Sequence, residues 1–276
     1  MLSHELHSAI EIAKEAGQIL LAIYATNFGV DFKGQGKSDP VTEADRRVNA
    51  LIVSRLRALF PDDGIVAEES EAHGTALLKS RIWYVDPLDG TKEFIAKNGE
   101  FSVMIGLSIH GSAQLGVVLQ PSTDNLYYGV VGEGAKLLHA GQTRTLHVST
   151  VADPRELRLL VSRSHRPKST DELTCRLGIT KETASGSVGV KIGQLAQQNA
   201  DLYVHVSDKS SAWDTCGPEA ILRAAGGRFT DLAGRPFVYG GSDLKTRHGI
   251  LACNSAAFEK VLPIVRELGS REGLLP

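Results

Sequence analysis

Apolar residues recur at helical spacing twice in the N-terminal part of the chain. The first set predicts an opening helix and consists of Ile10, Ala13, Gly17, Leu20, Leu21 and Tyr24. The second set predicts a helix over residues 43–60, which the segment Pro61-Asp62-Asp63-Gly64 ends. Residues 29–41 lie between the two and are rich in Gly, Lys, Asp and Pro, a composition that predicts a loop.

The middle of the chain changes to short β-type runs. Residues 65–67 and 82–85 are apolar and predict two strands, each of which ends at acidic residues. Three further runs, 101–109, 113–119 and 126–131, are separated only by short turns that contain Gly, Ser or Asp. Such spacing predicts an antiparallel meander, with a further hairpin through Gly132-Glu133-Gly134.

Beyond residue 150, predicted strands alternate with predicted helices. The strands fall at 157–161, 201–204 and 228–230, and the helices near 168–177, 188–198, 215–225 and 255–267. Alternation of this kind indicates crossover connections and an α/β arrangement. We therefore expect two closely packed halves, 1–150 with α+β character and 151–276 with α/β character.

Composition narrows the classes of function. The chain has 276 residues and a formal net charge of −2, so it lacks the broad basic field that holds a nucleic-acid polymer. Three widely spaced cysteines match neither a disulfide framework nor a zinc site. The polar N-terminus does not look like a signal peptide, and no apolar run is long enough to span a bilayer. We expect a cytoplasmic protein without a membrane or nucleic-acid partner, either a monomer or a homodimer.

Carboxylates stand at the ends of the short strands. Asp86 and Asp89 follow the run at 82–85, and Pro87 and Gly90 allow a bend that turns both carboxylates toward one point. If the strand at 65–67 is the neighbour in the sheet, Glu68 reaches the same edge. Oxygen ligands of this kind suit Mg²⁺, which keeps waters and takes a substrate phosphate. The alternative is that both aspartates only form a turn.

A third acid and two flanking segments complete the candidate site. Asp214 precedes a predicted helix, where it serves as a metal ligand, as a helix cap, or as both. Backbone N–H groups near Gly90 and Thr91 would form an anion site at the start of a helical turn. Thr42 and Asp45 have capping-box spacing and are assigned a structural role, whereas Asp39 in the preceding loop is free to reach the metals.

These residues together resemble the inositol monophosphatase-like superfamily of Mg²⁺-dependent, lithium-sensitive phosphatases. Its two signatures are matched by Trp83-Tyr84-Val85-Asp86-Pro87-Leu88-Asp89-Gly90-Thr91 and by Trp213-Asp214-Thr215-Cys216-Gly217-Pro218-Glu219-Ala220. The resemblance implies a layered αβαβα sandwich of the inositol monophosphatase/fructose-1,6-bisphosphatase type, and two or three Mg²⁺ ions. The implied metal ligands are Glu68, Asp86, the Leu88 carbonyl, Asp89 and Asp214, and the implied catalytic groups are Asp39, Glu68 and Thr91.

Within the superfamily the chain is most similar to the 3′(2′),5′-bisphosphate nucleotidases. The similarity lies in Lys92-Glu93-Phe94-Ile95 and Ser162-Arg163-Ser164-His165, and in Ser187 and Lys191, which match residues around the non-scissile phosphate. It implies hydrolysis of adenosine 3′,5′-bisphosphate, a small phosphorylated substrate, to AMP and phosphate. The implied substrate-binding residues are Leu88, Asp89, Gly90, Thr91, Ser162, His165, Ser187, Lys191 and Asp214.

Three alternatives remain. An inositol or sugar monophosphatase would share the metal site and differ only in the substrate pocket. A nucleotide-binding ATPase or kinase is suggested by Gly34-Gln35-Gly36-Lys37-Ser38, but position 31 is Asp and Asp39-Pro40 follows, so the spacing of a P-loop is not met. A non-catalytic phosphate sensor would not need every metal carboxylate, and a test for Mg²⁺-dependent phosphate release separates it from an enzyme.

Overall fold

The computed structural model describes residues 2–32, 40–70, 74–164 and 166–275. Its first layer consists of two helices, α1 (Ser3–Tyr24) and α2 (Glu43–Leu59), which pack against each other and against the sheet beneath them. Both correspond to predicted helices. The prediction of a loop over 29–41 is wrong at its ends, because the strands β1 (Val30–Phe32) and β2 (Pro40–Thr42) pair antiparallel there.

The second layer is a seven-stranded sheet whose strands follow one another in chain order. Its first two strands are parallel and the remaining five continue as the predicted antiparallel meander. The short helix α3 (Thr91–Ile95) follows its second strand. The strands are β3 (Gly64–Ala67), β4 (Arg81–Asp89), β5 (Ser102–Ile109), β6 (Ser112–Gln120), β7 (Asn125–Val130), β8 (Gly134–His139) and β9 (Gln142–Leu146).

The second sheet has five strands in a mixed arrangement. They are β10 (Arg158–Ser162), β11 (Lys181–Ser185), β12 (Leu202–His205), β13 (Arg228–Thr230) and β14 (Ile250–Cys253), in the spatial order β11-β10-β12-β14-β13. Strand β10 is parallel to both of its neighbours, whereas β14 is antiparallel to both of its own. The helices of this part are α4 (Ser169–Leu177), α5 (Val188–Ala196), α6 (Ala212–Ala224) and α7 (Phe258–Arg271).

The buried side chains show the order of the layers. On β5, Val103 and Ile105 belong to the core shared with α1 and α2, while Met104 points to the opposite core with α5 and α6, as the two-residue period of a strand requires. On β10, Leu160 joins that same middle core, and Leu159 packs on the far side with α4 and α7. The sequence of layers is therefore αβαβα, and the predicted fold class is confirmed.

Helix α6 lies directly on the first sheet, backbone against backbone. A Cβ atom at Gly116 of β6 would stand 2.0 Å from the carbonyl oxygen of Gly217, and one at Gly106 of β5 would stand 2.4 Å from the Gly217 nitrogen. Side chains at these positions would push the helix off the sheet. The glycines thus fix the position of α6, and with it the position of Asp214 in its first turn.

The predicted division into two halves near residue 150 stays a prediction. The strands of the two sheets lie on either side of that residue, but α6 packs on the first sheet as well as on strand β13 of the second. Among the described helices, none is both long and apolar enough to cross a membrane.

Candidate active site

The C-terminal end of β4 bends where the two aspartates stand. The pairing register with β5 shifts between Asp86 and Asp89, and the Leu88 backbone N–H donates to Asp86 Oδ1 at 2.9 Å. Gly90 follows with φ of 93°, a conformation that a side chain would strain, and α3 then begins at Thr91. The bend therefore lies between Asp86 and Asp89 and leads directly into the start of α3.

Glu68 reaches the same edge through strand β3. This strand pairs in parallel with β4, and the Glu68 backbone N–H donates to the Val85 carbonyl at 3.1 Å. The two strand ends are thus neighbours, which was the condition for Glu68 and Asp86 to share a site.

Asp214 is held by the first turn of α6. The N-cap of this helix is Ser211, and Asp214 is its capping-box partner, since the Ser211 backbone N–H donates to Asp214 Oδ2 at 2.7 Å. The N-cap residue is therefore Ser211, and the interpretation of Asp214 itself as the N-cap is wrong by three residues. Its second oxygen takes no part in this hydrogen bond, so capping and ligand binding remain compatible.

Burial and mutual repulsion act on the carboxylates together. Burial raises the pKa of Asp86 well above its usual range, and Glu68, Asp89 and Asp214 raise it further by repulsion. Burial also raises the pKa of Asp214, with repulsion from Glu68 and Asp89 added. Glu68 and Asp89 thus act on both Asp86 and Asp214, as expected for carboxylates that lie near one another.

The donor set fits a hard divalent cation. Four carboxylates supply only oxygen, and a cation among them would relieve both burial and repulsion. In the described part of the chain, however, no three His, Cys, Asp or Glu side chains already form a metal-holding group. Asp89 Oδ2 accepts from the Ser187 hydroxyl at 2.5 Å and from the Gly189 N–H at 2.9 Å, and neither hydrogen bond involves Oδ1.

A cavity of about 840 Å³ opens beside these acids. It brings together most of the residues singled out from the sequence, namely Glu68, Asp89, Gly90, Thr91, Ser162, Ser187, Lys191 and Asp214. Asp86 and Leu88 are 2% and 1% exposed and are not part of the cavity lining. Asp39 and His165 lie outside the described residues.

Lys191 is buried at the cavity, with 2% of its surface exposed. Its ammonium donates to the carbonyl oxygens of Gly186 and Ser187 and lies 4.9 Å from the centre of the Tyr203 ring. Burial lowers the pKa of Lys191 to about 8, and the charges of Asp89, Glu93 and Glu100 oppose that shift. The ammonium is thus already engaged within the protein, so Lys191 is not the solvated lysine that the sequence left as the alternative, and its contact with a phosphate stays a prediction.

Asp45 is a site residue that the sequence reasoning missed. Besides capping α2, its Oδ1 lies 3.3 Å from the Thr91 hydroxyl, which also lies 3.2 Å from the Leu88 carbonyl oxygen. Burial raises the pKa of Asp45 and the hydrogen bonds from Thr42 lower it. The capping-box spacing accounted for Asp45 completely, so no signal in the sequence indicated its second contact.

Two further contacts tie the segment around Ser162 to the rest of the site. Ser164 donates to Glu93 Oε1 at 2.5 Å, and Arg163 makes a two-pronged ion pair with Glu100 at 2.7 and 2.6 Å. Glu100 also accepts from the Gly186 backbone N–H at 2.7 Å. These bonds hold the end of β10, helix α3 and the approach to α5 together around the cavity.

Comparison with known proteins relates the chain to one family. The sequence model of the inositol monophosphatase family matches residues 1–270. The chain is 34% identical over 236 residues to the 3′(2′),5′-bisphosphate nucleotidase CysQ of Escherichia coli K12, covering 85% of this chain and 93% of that protein. It is also 30% identical over 260 residues to a histidinol-phosphatase of Chlorobaculum parvum, covering 93% of this chain and 96% of that protein.

A solved structure gives the same result for the fold. The crystal structure of CysQ from Bacteroides thetaiotaomicron superposes with a TM-score of 0.76 at 30% identity, covering 91% of this chain and 97% of that one. Since the family match spans nearly the whole sequence and these relatives reach 30% identity or more, the chain belongs to the inositol monophosphatase family.

Proposed function

We propose that this protein is a Mg²⁺-dependent phosphatase that hydrolyses adenosine 3′,5′-bisphosphate to AMP and inorganic phosphate. The observation that supports a metal-dependent reaction is the convergence of Glu68, Asp86, Asp89 and Asp214 beside a cavity large enough for a nucleotide. We assign these carboxylates and the Leu88 carbonyl oxygen as the metal ligands. Mg²⁺ bound among them would neutralise charge on the phosphoryl group and lower the pKa of a bound water.

Thr91 and Asp45 orient the attacking water in this proposal. The Thr91 hydroxyl can donate to Asp45 Oδ1 at 3.3 Å or to the Leu88 carbonyl at 3.2 Å, while its lone pairs accept from water. This arrangement polarises the water toward the phosphorus atom, and Glu68 lines the same cavity. The water oxygen forms the new bond to phosphorus as the bond to the ribose 3′ oxygen breaks, and that oxygen takes up a proton.

The other residues have positioning roles. Ser187 fixes Asp89 through its 2.5 Å hydrogen bond, and Asp214 stands at the end of α6 on the side that we assign to the leaving group. Ser162 lines the cavity and is placed near the nucleoside. The roles of Asp39 and His165 stay as predicted from the resemblance.

The choice of a bisphosphate nucleotide rests on relatives and on size. The nucleotidases reach 34% identity over 85% of this chain. Histidinol phosphate is a second candidate substrate, because Glu93 and Asp208 add two carboxylates to the cavity lining, where an ammonium group could bind, and a histidinol-phosphatase is 30% identical. An inositol or sugar monophosphate remains the alternative from the same family.

A substrate panel tests the proposal. Phosphate release is measured with adenosine 3′,5′-bisphosphate, inositol 1-phosphate, fructose 1,6-bisphosphate and L-histidinol phosphate, each with Mg²⁺ and with EDTA. We expect the highest kcat/KM for the nucleotide, and no turnover of any substrate with EDTA. A higher kcat/KM for another member of the panel would contradict the nucleotidase assignment, and turnover in EDTA would contradict the metal dependence.

A further inference from the structure

The first turn of helix α6, which carries Asp214, lacks one of its backbone hydrogen bonds. Pro218 stands inside the helix and has no N–H, so it cannot donate to the carbonyl of Asp214, the residue four positions before it. Gly217 precedes the proline, and glycine is the most flexible residue inside a helix. The first turn is therefore joined to the rest of α6 less firmly than in an uninterrupted helix.

The side chain of Tyr239 contacts α6 on both sides of this missing bond. Its hydroxyl donates to Glu219 Oε2 at 2.6 Å, one residue after the proline, and the same oxygen lies 3.3 Å from Thr215 Oγ1, directly after Asp214. Tyr239 and Glu219 are 5% and 1% exposed, and Thr215 is completely buried, so water has little access to these contacts. A single side chain thus joins the first turn of the helix to the second.

Tyr239 is itself fixed to the first sheet. Its backbone N–H donates to the carbonyl of Gly111, in the turn between β5 and β6, at 3.0 Å. Its ring packs against the ring of Tyr84 on β4, with 5.4 Å between the two centroids. Tyr239 is not part of the lining of the active-site cavity, so any effect it has on the chemistry passes through the helix.

The segment that follows this tyrosine pairs with the residues that open α6. Ser211, the N-cap, and Lys245, which lines the cavity, form an antiparallel bridge, and the Ala212 N–H donates to the Leu244 carbonyl at 2.8 Å. The Lys245 ammonium lies 3.0 Å from the Ser211 hydroxyl. The segment therefore contacts the helix before Asp214, whereas the tyrosine side chain contacts it after Asp214.

We propose that Tyr239 is a positioning residue for Asp214, which acts by joining Thr215 to Glu219 across the bond that Pro218 cannot make. The inference rests on the proposed function, because it takes Asp214 as a ligand of the divalent cation. Without the Tyr239 hydroxyl, the first turn keeps its N-cap contacts but loses this link to the second turn. The Asp214 carboxylate then has a wider range of positions, and fewer of them suit a cation shared with the other carboxylates.

Tyr239→Phe tests this role by removing one oxygen atom. The ring and the backbone bond to Gly111 remain, and Glu219 keeps its hydrogen bond from Arg223 at 2.9 Å, so the variant should fold. Isothermal titration calorimetry of the full chain with Mg²⁺, in the absence of substrate, gives the dissociation constant. We expect this constant to rise about tenfold in the variant, the lower end of what loss of a contact that orients a metal ligand costs.

Tyr127→Phe is the matched control. Tyr127 is 1% exposed, its hydroxyl accepts from Gln197 at 3.0 Å, and it does not line the cavity, so the control also loses a buried hydroxyl but should bind Mg²⁺ as the wild type does. Thr215→Val removes the other hydroxyl of the contact and serves if Tyr239→Phe fails to fold. Its effect on Mg²⁺ affinity should not add to that of Tyr239→Phe in the double variant. Unchanged affinity in a folded variant, or fully additive losses, would overturn the proposal.

Kinetics on the preferred substrate separate positioning from a general loss of structure. In Tyr239→Phe the Mg²⁺ concentration at half-maximal rate should rise about tenfold, and kcat at saturating Mg²⁺ should return to within about threefold of the wild type. A lower kcat with an unchanged Mg²⁺ requirement would contradict the positioning role. Weaker Mg²⁺ binding in the variant, without hydrolysis of any substrate by the wild type, would refute the proposed function and keep the positioning role. Hydrolysis by the wild type, with equal Mg²⁺ affinity in wild type and variant, would do the reverse, and a wild type that binds no Mg²⁺ would refute both.

Discussion

The hydroxyl of Thr91 lies 3.3 Å from the Asp45 carboxylate, which joins helix α3 to the first turn of α2. Asp45 is 2% exposed and at the same time caps its own helix, so its orientation is set by the fold rather than by a ligand. The Thr91 hydroxyl can direct its proton to Asp45 or to the Leu88 carbonyl, and its lone pairs are then available to a water. The pair therefore provides a preorganised water-binding group next to the acidic cluster.

Replacing Thr91 by valine tests this pair. Thr91→Val keeps the branched shape and removes the hydroxyl, so we expect kcat to fall by about 10²- to 10⁴-fold while KM changes little. Steady-state kinetics on the preferred substrate measure both constants. Thr145→Val, on the exposed edge strand β9, is the control, and a kcat for Thr91→Val within threefold of the wild type would show that the hydroxyl has no catalytic role.

Neutralising Asp86 should raise the stability of the metal-free protein and weaken metal binding. Because burial and three neighbouring carboxylates raise its pKa, Asp86→Asn should stabilise the metal-free protein at neutral pH, by about 1–2 kcal/mol. The same change should abolish most of the rise in Tm that Mg²⁺ gives the wild type. Thermal unfolding with EDTA and with Mg²⁺ checks both statements. Asp62→Asn, at an exposed turn, should behave as wild type, and equal Mg²⁺ shifts in all three proteins would exclude Asp86 as a ligand.

Lys191 is expected to act mainly through the structure around it. Lys191→Met leaves the carbonyls of Gly186 and Ser187 without this donor and removes a cation that acts on nearby carboxylates, so unfolding should become easier by about 3 kcal/mol or more. Urea unfolding measures this loss. In kinetics we expect a similar decrease for bisphosphate and monophosphate substrates. A decrease confined to the bisphosphate would instead support the direct phosphate contact predicted from the sequence.

Glu219 should make stability depend on pH. It accepts hydrogen bonds from Tyr239 at 2.6 Å and Arg223 at 2.9 Å, yet burial raises its pKa from the usual 4.5 to about 7. A carboxyl whose folded pKa is raised binds more protons in the folded state than in the unfolded one. Its contribution to stability is therefore present at low pH and is lost as the pH rises between those two values.

The corresponding measurement compares wild type with Glu219→Gln. From pH 5 to pH 8 the free energy of unfolding of the wild type should fall by about 1–3 kcal/mol relative to that of the variant. Urea titrations in EDTA at several pH values give the two curves, with Glu133→Gln at an exposed turn as the control. Parallel curves for wild type and Glu219→Gln would mean that Glu219 titrates near its usual pKa.

The sequence predicted those helices and strands whose apolar spacing and flanking turns are visible within the element itself. The meander was found because its turns are short and its strands alternate between two cores. Strand β11 was missed, since Lys181–Ser185 is a largely polar edge strand that exists only by pairing with β10. Strand β14 was also missed, because Ile250–Cys253 is four residues long, is buried throughout and pairs with two strands distant in sequence. Helix α6 begins three residues earlier than predicted because Ser211 is its N-cap.

The residues of the candidate site also fall into those that the sequence indicated and those that only the structure shows. Glu68, Asp86 and Asp89 stand at strand ends, where the sequence pattern indicates a shared edge if the strands are neighbours, whereas Asp214 was assigned to the same site through the resemblance. The second contact of Asp45 and the position of Lys245 depend on how distant segments meet. No spacing rule connects residue 45 with 91, or residue 211 with 245, since those contacts follow from the packing of whole layers.

The glycines beneath α6 have a consequence for how variation in this protein is interpreted. At Gly116 and Gly217 two main chains touch, so even a methyl group inserted there acts as a wedge under the helix. The helix would tilt or slide, and Asp214 at its end would leave its place among the other acids. Such a change would be recorded as weak metal affinity, although the altered atoms hold no charge and never meet the ion. Inherited or engineered substitutions at these glycines should therefore impair metal binding, although the glycines themselves only support the helix.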